Sequence, residues 1–359
     1  MLYREAGQFK TSYAADQAVF PIRQDRLFIA AALAVAYVVI PAVANEYWLL
    51  TIMIPFLVFA LAALGLNILT GYAGQVSLGT GGFMAVGAFA TYKLTTAFPG
   101  LNIVLVFLLA GVIAALVGIL FGFPSLRIKG FYLAVATLAS QFFLIWMFNK
   151  FPWFNNYSPS GVISAPPRAV FGHFFVTGAE ADPVDKYLFV LTFVAVLALA
   201  AKNLVRGRVG RSWMAIRDMD IAAEIIGIRP LRTKLLAFAV SSFYCGIAGG
   251  FWAFIYTGGV EALAFDIDRS FQILFMIIIG GLGSILGSFL GAAFIVLLPI
   301  FLDNAPRLVG LEIPVNTVTN LQTMVFGALI IFFLVVEPRG LARLCQIGKE
   351  KLRMWPFPY

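Results

Sequence analysis

The chain has 359 residues, of which 61% are hydrophobic and 12% charged, and its mean hydropathy is +0.94. Soluble domains carry close to a quarter charged residues, so this composition excludes a water-soluble globular protein and indicates an integral membrane protein. The net charge of +8 does not require nucleic acid as a partner, because a membrane protein with many spans concentrates Lys and Arg in its cytoplasmic loops.

Ten apolar segments are predicted to cross or enter the membrane. A spanning helix needs about 20 apolar residues, and a half-span that is buried in protein needs fewer. In chain order the segments are 27–45, 48–69, 71–97, 101–122, 130–149, 187–202, 235–257, 270–281, 284–302 and 321–336. The predicted fold class is therefore all-α, a polytopic membrane protein with about ten transmembrane helices that include short or broken spans.

Charge predicts the orientation of these segments. Loop 203–234 holds seven basic and three acidic residues, and the C-terminal tail and the short turn with Arg127 and Lys129 are also basic. The excess of Lys and Arg places these regions in the cytoplasm, whereas segments 150–186 and 258–270 are expected outside. We therefore predict a cytoplasmic N-terminal segment over 1–26, a transmembrane domain over 27–338 and a basic cytoplasmic tail over 339–359, with both termini cytoplasmic.

Polar groups accumulate around the third apolar segment, which begins GYAGQVSLGTGGF. Asn67 precedes this string, and Gln75, Ser77 and Thr80 lie within it beside several glycines. Irregular backbone at membrane depth is tolerated only against protein or a water-filled cavity. These side chains are predicted either to line a neutral translocation pathway or to form hydrogen bonds between helices, and the sequence does not choose between the two.

The basic inner loop contains an amphipathic segment. Apolar residues recur at helical spacing between Ser212 and Gly227, and Gly227 and Pro230 end the pattern. A helix of this kind lies on the bilayer surface or docks in a groove of a soluble partner. Amphipathicity alone leaves both interpretations open.

The run GGLGSILGSFLGAAF interrupts the apolar sequence near the C-terminal end. Merging 270–302 into one span would move the basic tail outside, so we predict a break at GGLGS. Gly283, Gly287 and Gly291 are spaced four apart, which favours close packing of one helix face. A dinucleotide site is not expected, because Leu286 occupies the last position of the GxGxxG pattern.

The sequence contains no energy source or reactive centre of its own. It lacks a GxxxxGK[ST] motif, and its longest polar segments are too short for a soluble ATPase domain. Cys245, Cys345 and His173 form no metal-binding pattern, and no cofactor is expected. The predicted span interiors hold no carboxylate, which disfavours a proton-coupled carrier, although a Na⁺ site built from carbonyls and hydroxyls escapes this argument. The chain is expected to be a transport protein rather than an enzyme.

Three sequence blocks resemble one known family. AAEIIGI resembles the EAA loop of ABC importer permeases, the helix that docks on the ATPase subunit, with Ala223, Glu224 and Gly227 at its core positions. The surrounding GRSWMAIRDMDIAAEIIGIRPLRTKLLAF, together with GLNILTGYAGQVSLGTGGFMAVGAF and IIIGGLGSILGSFLGAAF, resembles the LivM-type permeases of branched-chain amino acid importers. The resemblance covers about 48–340, whereas FPWFNNYSPSGVISAPP departs from the family pattern and leaves the solute open.

This resemblance implies the ABC importer permease fold and a role as the membrane subunit of an ATP-driven importer for branched-chain or other small amino acids. It implies a bacterial cytoplasmic (inner) membrane location and three kinds of partner: a second homologous permease subunit in a heterodimer, two cytoplasmic ATPase subunits and an extracytoplasmic solute-binding protein. The residues expected to couple to the ATPase are Arg211, Arg217, Ala223, Glu224 and Gly227. The residues expected in the translocation pathway are Asn67, Gln75, Ser77, Thr80, Gly281 and Ser284.

Other functions remain open at this stage. Members of the same family carry urea, short amides or aromatic acids, so a permease for one of these solutes is one alternative. A self-sufficient secondary carrier or channel is a second alternative, and a membrane scaffold whose inner helix recruits a partner is a third.

Overall fold

The computed structural model describes residues 11–12, 23–125, 131–170, 174–178, 181–308, 324–325, 327–329, 331–333, 335–337 and 340–354. These residues are mostly helical, as the predicted all-α class requires. Seven segments among them are long and apolar enough to cross a membrane: Asp25–Val43, Trp48–Tyr72, Ile103–Pro124, Tyr132–Lys150, Pro183–Arg206, Pro230–Tyr256 and Ile285–Asn304. The protein is therefore polytopic, and the predicted count of about ten helices, which included short or broken spans, stays a prediction.

The helices follow one another in chain order, and three short strands are described between Lys150 and Pro183. The α-helices with described bounds are α1 (Arg23–Ala34), α2 (Ile40–Val43), α3 (Ile54–Asn67), α4 (Thr80–Ala97), α5 (Ile103–Ser125), α6 (Phe131–Lys150), α7 (Pro183–Arg206), α8 (Arg208–Asp218), α9 (Asp220–Ile225), α10 (Pro230–Phe251), α11 (Ile267–Gly280), α12 (Ile285–Leu308) and α13 (Gly340–Met354). Wider π-helical turns at Val35–Val39, Trp48–Met53, Ile68–Tyr72 and Trp252–Tyr256 extend α1, α3 and α10 to membrane-spanning length, and Ala262–Phe265 forms a 3₁₀ turn.

Helix α3 is the centre of the bundle. Every one of its residues except Phe56 is buried, and α10, α12 and α7 pack around it. Glycines allow these helices to approach closely, since a methyl group on Gly249 of α10 would collide with the carbonyl of Met84 in α4. Such small-residue contacts are the usual way to pack helices in lipid, where burial of apolar surface gives no driving force.

The third predicted span, 71–97, is wrong as a single helix. The helix that begins at Trp48 runs through to Tyr72, residues 73–79 are not helical, and α4 begins only at Thr80. Gly74 has φ +68°, a left-handed conformation that ends the preceding helix. The backbone N–H of Leu78 then donates to Thr137 Oγ1 of α6 at 2.9 Å rather than to a helical carbonyl. Irregular backbone at this place is satisfied by a neighbouring helix.

The break at GGLGS is confirmed. Helix α11 ends at Gly280 and α12 begins at Ile285, with Gly281 and Gly283 at positive φ between them. Close packing is also confirmed for Gly287, where a methyl group would lie 2.7 Å from the carbonyl oxygen of Gly280. Gly291 packs in the same way against the carbonyl of Met276. The assignment of Gly283 to that helix face was wrong, because this residue belongs to the turn.

Two short antiparallel sheets lie at the end of the bundle opposite the basic loop. Strand β1 (Ile163–Ser164) pairs with β4 (Gly259–Val260), and β2 (Arg168–Val170) pairs with β3 (Phe174–Thr177). The β1–β4 pairing shows that segments 150–186 and 258–270 meet on one side of the molecule. At the other end, Lys349 Nζ of α13 lies 3.0 Å from Asp25 Oδ1, so the tail helix adjoins the start of α1.

Several sequence predictions fall outside the described residues. Arg127, Lys129 and His173 lie there, as does most of the N-terminal segment 1–26. The predicted span 321–336 is described only in short helical pieces. The domain boundaries at 26 and 338 therefore stay predictions.

Candidate functional site

The predicted coupling helix between Arg211 and Gly227 consists of two helices. Helices α8 and α9 meet at Met219, whose backbone is extended with φ −159° and ψ 97°. The single amphipathic helix was therefore wrong. Asp218 and Asp220 flank the junction, and such short polar residues favour helix ends over helix interiors.

Helix α8 is fixed to the bundle. The indole of Trp213 is completely buried, and its Nε1 donates to the carbonyl oxygen of Thr233 in α10 at 3.0 Å. Ile216 is buried on the same face, and a methyl group on Gly210 would collide with the backbone of Val205 in α7. These contacts hold α8 against the ends of α7 and α10.

Helix α9 presents an apolar ridge to its surroundings. The ridge consists of four strongly exposed side chains, 65–81% accessible: Met219, Ile221, Ile225 and Ile226. Ala223 lies underneath and is buried, whereas Glu224 is exposed beside the ridge. Gly227 ends α9 with φ +92°, and its N–H donates to the Glu224 carbonyl at 2.9 Å. Of the three residues that match the EAA loop, Ala223 packs inward and Glu224 faces outward. Gly227 forms the left-handed end of the helix.

Arg217 connects α8 to the end of the second span. Its Nη1 donates to the carbonyl oxygen of Gly71 at 2.9 Å, and its Nε donates to Asp218 Oδ1 at 2.9 Å. A methyl group on Gly74 would lie 2.8 Å from Cγ of Arg217, so the arginine stem packs on this backbone. Arg211 is exposed on the same helix, and its side chain makes no hydrogen bond or ion pair within the described ranges. Sequence reasoning grouped the two arginines, and the structure separates them.

Asn67 ties α3 to the GGLGS break. Its Nδ2 donates to the Ser284 carbonyl and to Ser288 Oγ, both at 2.8 Å, and its Oδ1 accepts from the Gly283 N–H at 2.8 Å. The side chain is fully buried, and a longer contact of 3.4 Å reaches the Gly281 carbonyl. Three of the predicted pathway residues, Asn67, Gly281 and Ser284, are thus brought together and bond to one another.

Gly71 joins this cluster to Arg217. A methyl group at Gly71 would collide with both Asn67 Oδ1 and the Gly283 backbone N. The residue whose carbonyl accepts from Arg217 is therefore packed directly against the break. A continuous set of contacts runs from α8 through Arg217, Gly71 and Asn67 to the start of α12.

The other predicted pathway residues differ from Asn67 in their hydrogen bonding. Gln75, Ser77 and Thr80 are all at most 3% exposed. Neither Gln75 Oε1 nor Nε2 has a hydrogen-bond partner among the described residues, and Thr80 Oγ1 also has none. Ser77 Oγ accepts from the Gly79 N–H at 3.4 Å. Buried polar atoms are normally paired, so Gln75 and Thr80 are exceptions among the described residues.

Sequence reasoning missed two residues that cap the buried start of α4. Ser270 Oγ accepts from the Gly81 N–H at 2.8 Å, and Gln141 Oε1 accepts from the Gly82 N–H. Ser270 Oγ also donates to Gln141 Oε1 at 3.1 Å, and Gln141 Nε2 donates to the Phe265 carbonyl at 2.7 Å. The available signal was a glutamine inside an apolar span, which is costly unless it has partners.

Comparison with known proteins gives a consistent result. Residues 48–334 match the family model described as "Branched-chain amino acid transport system / permease component". The chain is 30% identical over 306 residues to the high-affinity branched-chain amino acid transport system permease protein LivM of Salmonella typhimurium, covering 79% of this chain and 68% of the relative. The LivM protein of Escherichia coli matches to the same extent.

A probable branched-chain amino acid transport permease protein LivM from Methanocaldococcus jannaschii is 26% identical over 328 residues, covering 81% of this chain and 92% of the relative. No solved structure matches the chain. The family model spans most of the chain, including α3, the irregular segment before α4, the α8–α9 loop and the GGLGS break. The chain therefore belongs to the family of permease components of branched-chain amino acid transport systems.

Proposed function

We propose that this chain is the permease subunit of an ATP-driven importer for branched-chain or other small amino acids, has the ABC importer permease fold and forms half of the translocation pathway. It has no ATPase site of its own. It works in the bacterial cytoplasmic membrane, with both termini in the cytoplasm, beside a homologous permease subunit, two ATPase subunits and an extracytoplasmic binding protein. The observation that carries this proposal is the α8–α9 unit, which is anchored on one side and apolar on the other.

The exposed ridge of α9 is the docking surface for the ATPase. Four large apolar side chains next to one another in a basic loop are costly in water, and such patches mark sites of protein association. A short helix with apolar anchors fits a groove on a partner. Glu224, Gly227 and Arg232 line a shallow concavity beside the ridge and add polar complementarity at its rim.

Arg217 carries the motion of the docked loop to the pathway. When the ATPase subunits close, they displace α9 and with it α8, and Trp213 passes this displacement from α8 to α10. The Arg217 to Gly71 hydrogen bond and the Asn67 bonds to the break transmit this displacement to α3 and α12. The two-state element that closure of the ATPase subunits shifts is the GGLGS break, where α11 and α12 meet without a continuous backbone hydrogen-bond ladder.

The solute passes the unpartnered side chains of Gln75 and Thr80. Their neutral polar atoms offer hydrogen bonds without a tight site, which leaves most of the selectivity to the binding protein. Asn67, Gly281 and Ser284 then act as the link between pathway and docking loop rather than as solute contacts. This division follows from their hydrogen-bonding states.

The docking role is tested with the assembled complex in proteoliposomes. Ile225→Asp places a charge on the ridge without touching the bundle, and we expect solute-stimulated ATP turnover to fall at least about tenfold, as for loss of an interface anchor. Leu344→Asp, an apolar-to-acidic change at a half-exposed site on α13, is the matched control and should leave turnover unchanged. Normal turnover in Ile225→Asp would remove the docking role from α9.

A further inference from the structure

We infer that Arg269 and Trp252 form a binding site for the carboxylate group of the transported solute. The guanidinium carbon of Arg269 lies 4.3 Å from the ring centroid of Trp252 and 5.1 Å from that of Phe59. Both rings are buried, and their centroids are 4.8 Å apart. The inference rests on the proposed importer function and narrows its substrate class to solutes with a carboxylate, in contrast to urea or a neutral amide.

Among the described residues, the Arg269 guanidinium is bonded directly only to neutral oxygens. Its Nη1 donates to Gln272 Oε1 at 2.8 Å, and its Nε donates to the Ala264 carbonyl at 3.3 Å. Within the described part of the chain no carboxylate oxygen lies within ion-pair distance, and Nη2 has no acceptor. The Asp266 side chain accepts from the backbone N–H of Arg269 and caps α11 instead. The Asp266 carboxylate attracts the guanidinium charge from beyond ion-pair distance, and a half-buried cation whose direct contacts are ring faces and neutral oxygens favours the arrival of an anion that bonds to it.

A second unmet donor lies in the same aromatic cluster. Trp252 is 7% exposed, and its Nε1 has no hydrogen-bond acceptor among the described residues. An indole N–H only donates, and a buried one usually has a partner. Tyr256 packs 4.5 Å from Trp252 between ring centroids and closes the cluster on one side. The Arg269 guanidinium and the Trp252 N–H thus provide two kinds of donor to a carboxylate in one cluster.

The position of Arg269 connects it with the proposed pathway. Arg269 is in the first turn of α11, and the next residue, Ser270, accepts from the Gly81 N–H at the start of α4. A methyl group on Gly81 would lie 2.8 Å from the Phe265 carbonyl oxygen, so the N-termini of α4 and α11 adjoin. The positive ends of both helix dipoles point here, as at half-helix sites for anionic substrates, and Asp266 and Asp268 at the start of α11 offset part of this positive potential. Thr80, whose hydroxyl is unpartnered, begins α4 at the same place.

The charge of Arg269 favours a carboxylate in particular. A charge-assisted hydrogen bond from its guanidinium to a carboxylate oxygen is stronger than a neutral hydrogen bond. Urea and acetamide carry no charge and gain much less from the same group. The Phe59 and Trp252 rings bordering the cation provide apolar surface for the rest of a leucine-like or aromatic solute.

The test uses the whole complex, with both permease subunits, the ATPase subunits and the binding protein, in proteoliposomes. ATP-dependent uptake of L-leucine, phenylacetate, urea and acetamide is measured for the wild type, and the variants are compared on the carboxylate that is imported fastest. Arg269→Gln should lower this uptake about tenfold or more, because it removes the charge. Arg269→Lys should keep an intermediate rate, and Trp252→Phe, which keeps an aromatic ring but removes the N–H with the five-membered ring, should lower uptake severalfold.

ATP turnover stimulated by the loaded binding protein shows whether a variant has lost only the solute site or has lost the folded complex. We expect it to stay within about twofold of wild type in Arg269→Gln, since closure of the ATPase does not require the solute to pass this site. The matched control is Arg168→Gln, an arginine that donates to the backbone carbonyls of Thr95 and Pro99, and its uptake should be normal.

Three results would overturn the carboxylate site while leaving the importer intact. These are normal uptake in Arg269→Gln, a parallel loss of uptake and ATP turnover in both Arg269 variants, and a wild type that imports urea or acetamide but neither carboxylate. A wild-type complex that shows no ATP-dependent uptake of any probe, nor of the solute copurified with its binding protein, would contradict the proposed function itself and the site with it.

Discussion

Hydrogen-bonding state distinguishes polar residues that share one sequence context. Asn67 uses its donors and its acceptor on the GGLGS break, whereas Gln75, eight positions later, has both amide atoms buried and unpartnered. The sequence shows two amides near glycines and offers no reason to separate them. Their separation depends on which remote backbone atoms come within reach, and the GGLGS break supplies those atoms only for Asn67.

Replacing Gln75 by leucine should have opposite effects on stability and transport. A buried amide without partners costs about 1–3 kcal/mol, so Gln75→Leu should raise the melting temperature of the purified complex. The same change should slow solute uptake severalfold and leave solute binding to the external protein unchanged. Gln346→Leu on the exposed face of α13 is the control. If uptake stays at the wild-type rate, Gln75 has no role in the pathway.

Arg217 should be needed for coupling more than for folding. Arg217→Gln removes the charge-assisted bond to the Gly71 carbonyl, a contribution of about 1.5–3 kcal/mol between α8 and the second span. We expect uptake per ATP hydrolysed to fall severalfold, with nearly normal insertion and yield. Arg208→Gln, at an exposed position of the same helix, should retain full coupling. Full coupling in Arg217→Gln would break the proposed link between loop and pathway.

At the scale of elements, apolar length predicted which segments are buried but not where helices begin inside the protein. Most of the predicted spans correspond to described helices, and the GGLGS break follows from charge and glycine content. The start of α4 at Thr80 depends on caps from Gln141 and Ser270, which are remote in sequence. The division of the coupling helix at Met219 likewise depends on Trp213 docking against α10, and no local pattern encodes that contact.

The pairing of α11 with α12 depends on a glycine contact. A methyl group on Gly291 would collide with the Met276 carbonyl, so Gly291→Ala must push the two helices apart. We expect this to lower the stability of the folded protein by about 1–3 kcal/mol. A thermal-shift measurement on the purified chain should show a clearly lower melting temperature. Gly348→Ala in α13, where a methyl group meets nothing within 4 Å, should be neutral or slightly stabilising. Equal melting temperatures for the two variants would contradict this packing.

At the scale of the whole molecule, the docking loop and the tail converge on one place. Arg217 reaches Gly71 beside the break, and a methyl group on Gly340 of α13 would lie 2.6 Å from both the Gly281 N and the Ile279 carbonyl oxygen. Strands β1 and β4 pair at the opposite end of the helix bundle. Sequence motifs were sufficient to identify the family, because the glycine-rich turns and the EAA-like loop are each contained in a short stretch of sequence. The convergence itself was not predictable, since it joins residues from four separate elements.

The central claim is that this chain is a passive gate, moved through α8 and α9 by nucleotide hydrolysis on a partner. The most direct measurement compares the purified chain alone with the assembled complex in liposomes, each given a proton gradient, a Na⁺ gradient or ATP in turn. The account predicts that solute accumulates only in the complex, only with ATP and only with the loaded binding protein. Accumulation by the chain alone on either ion gradient would contradict it.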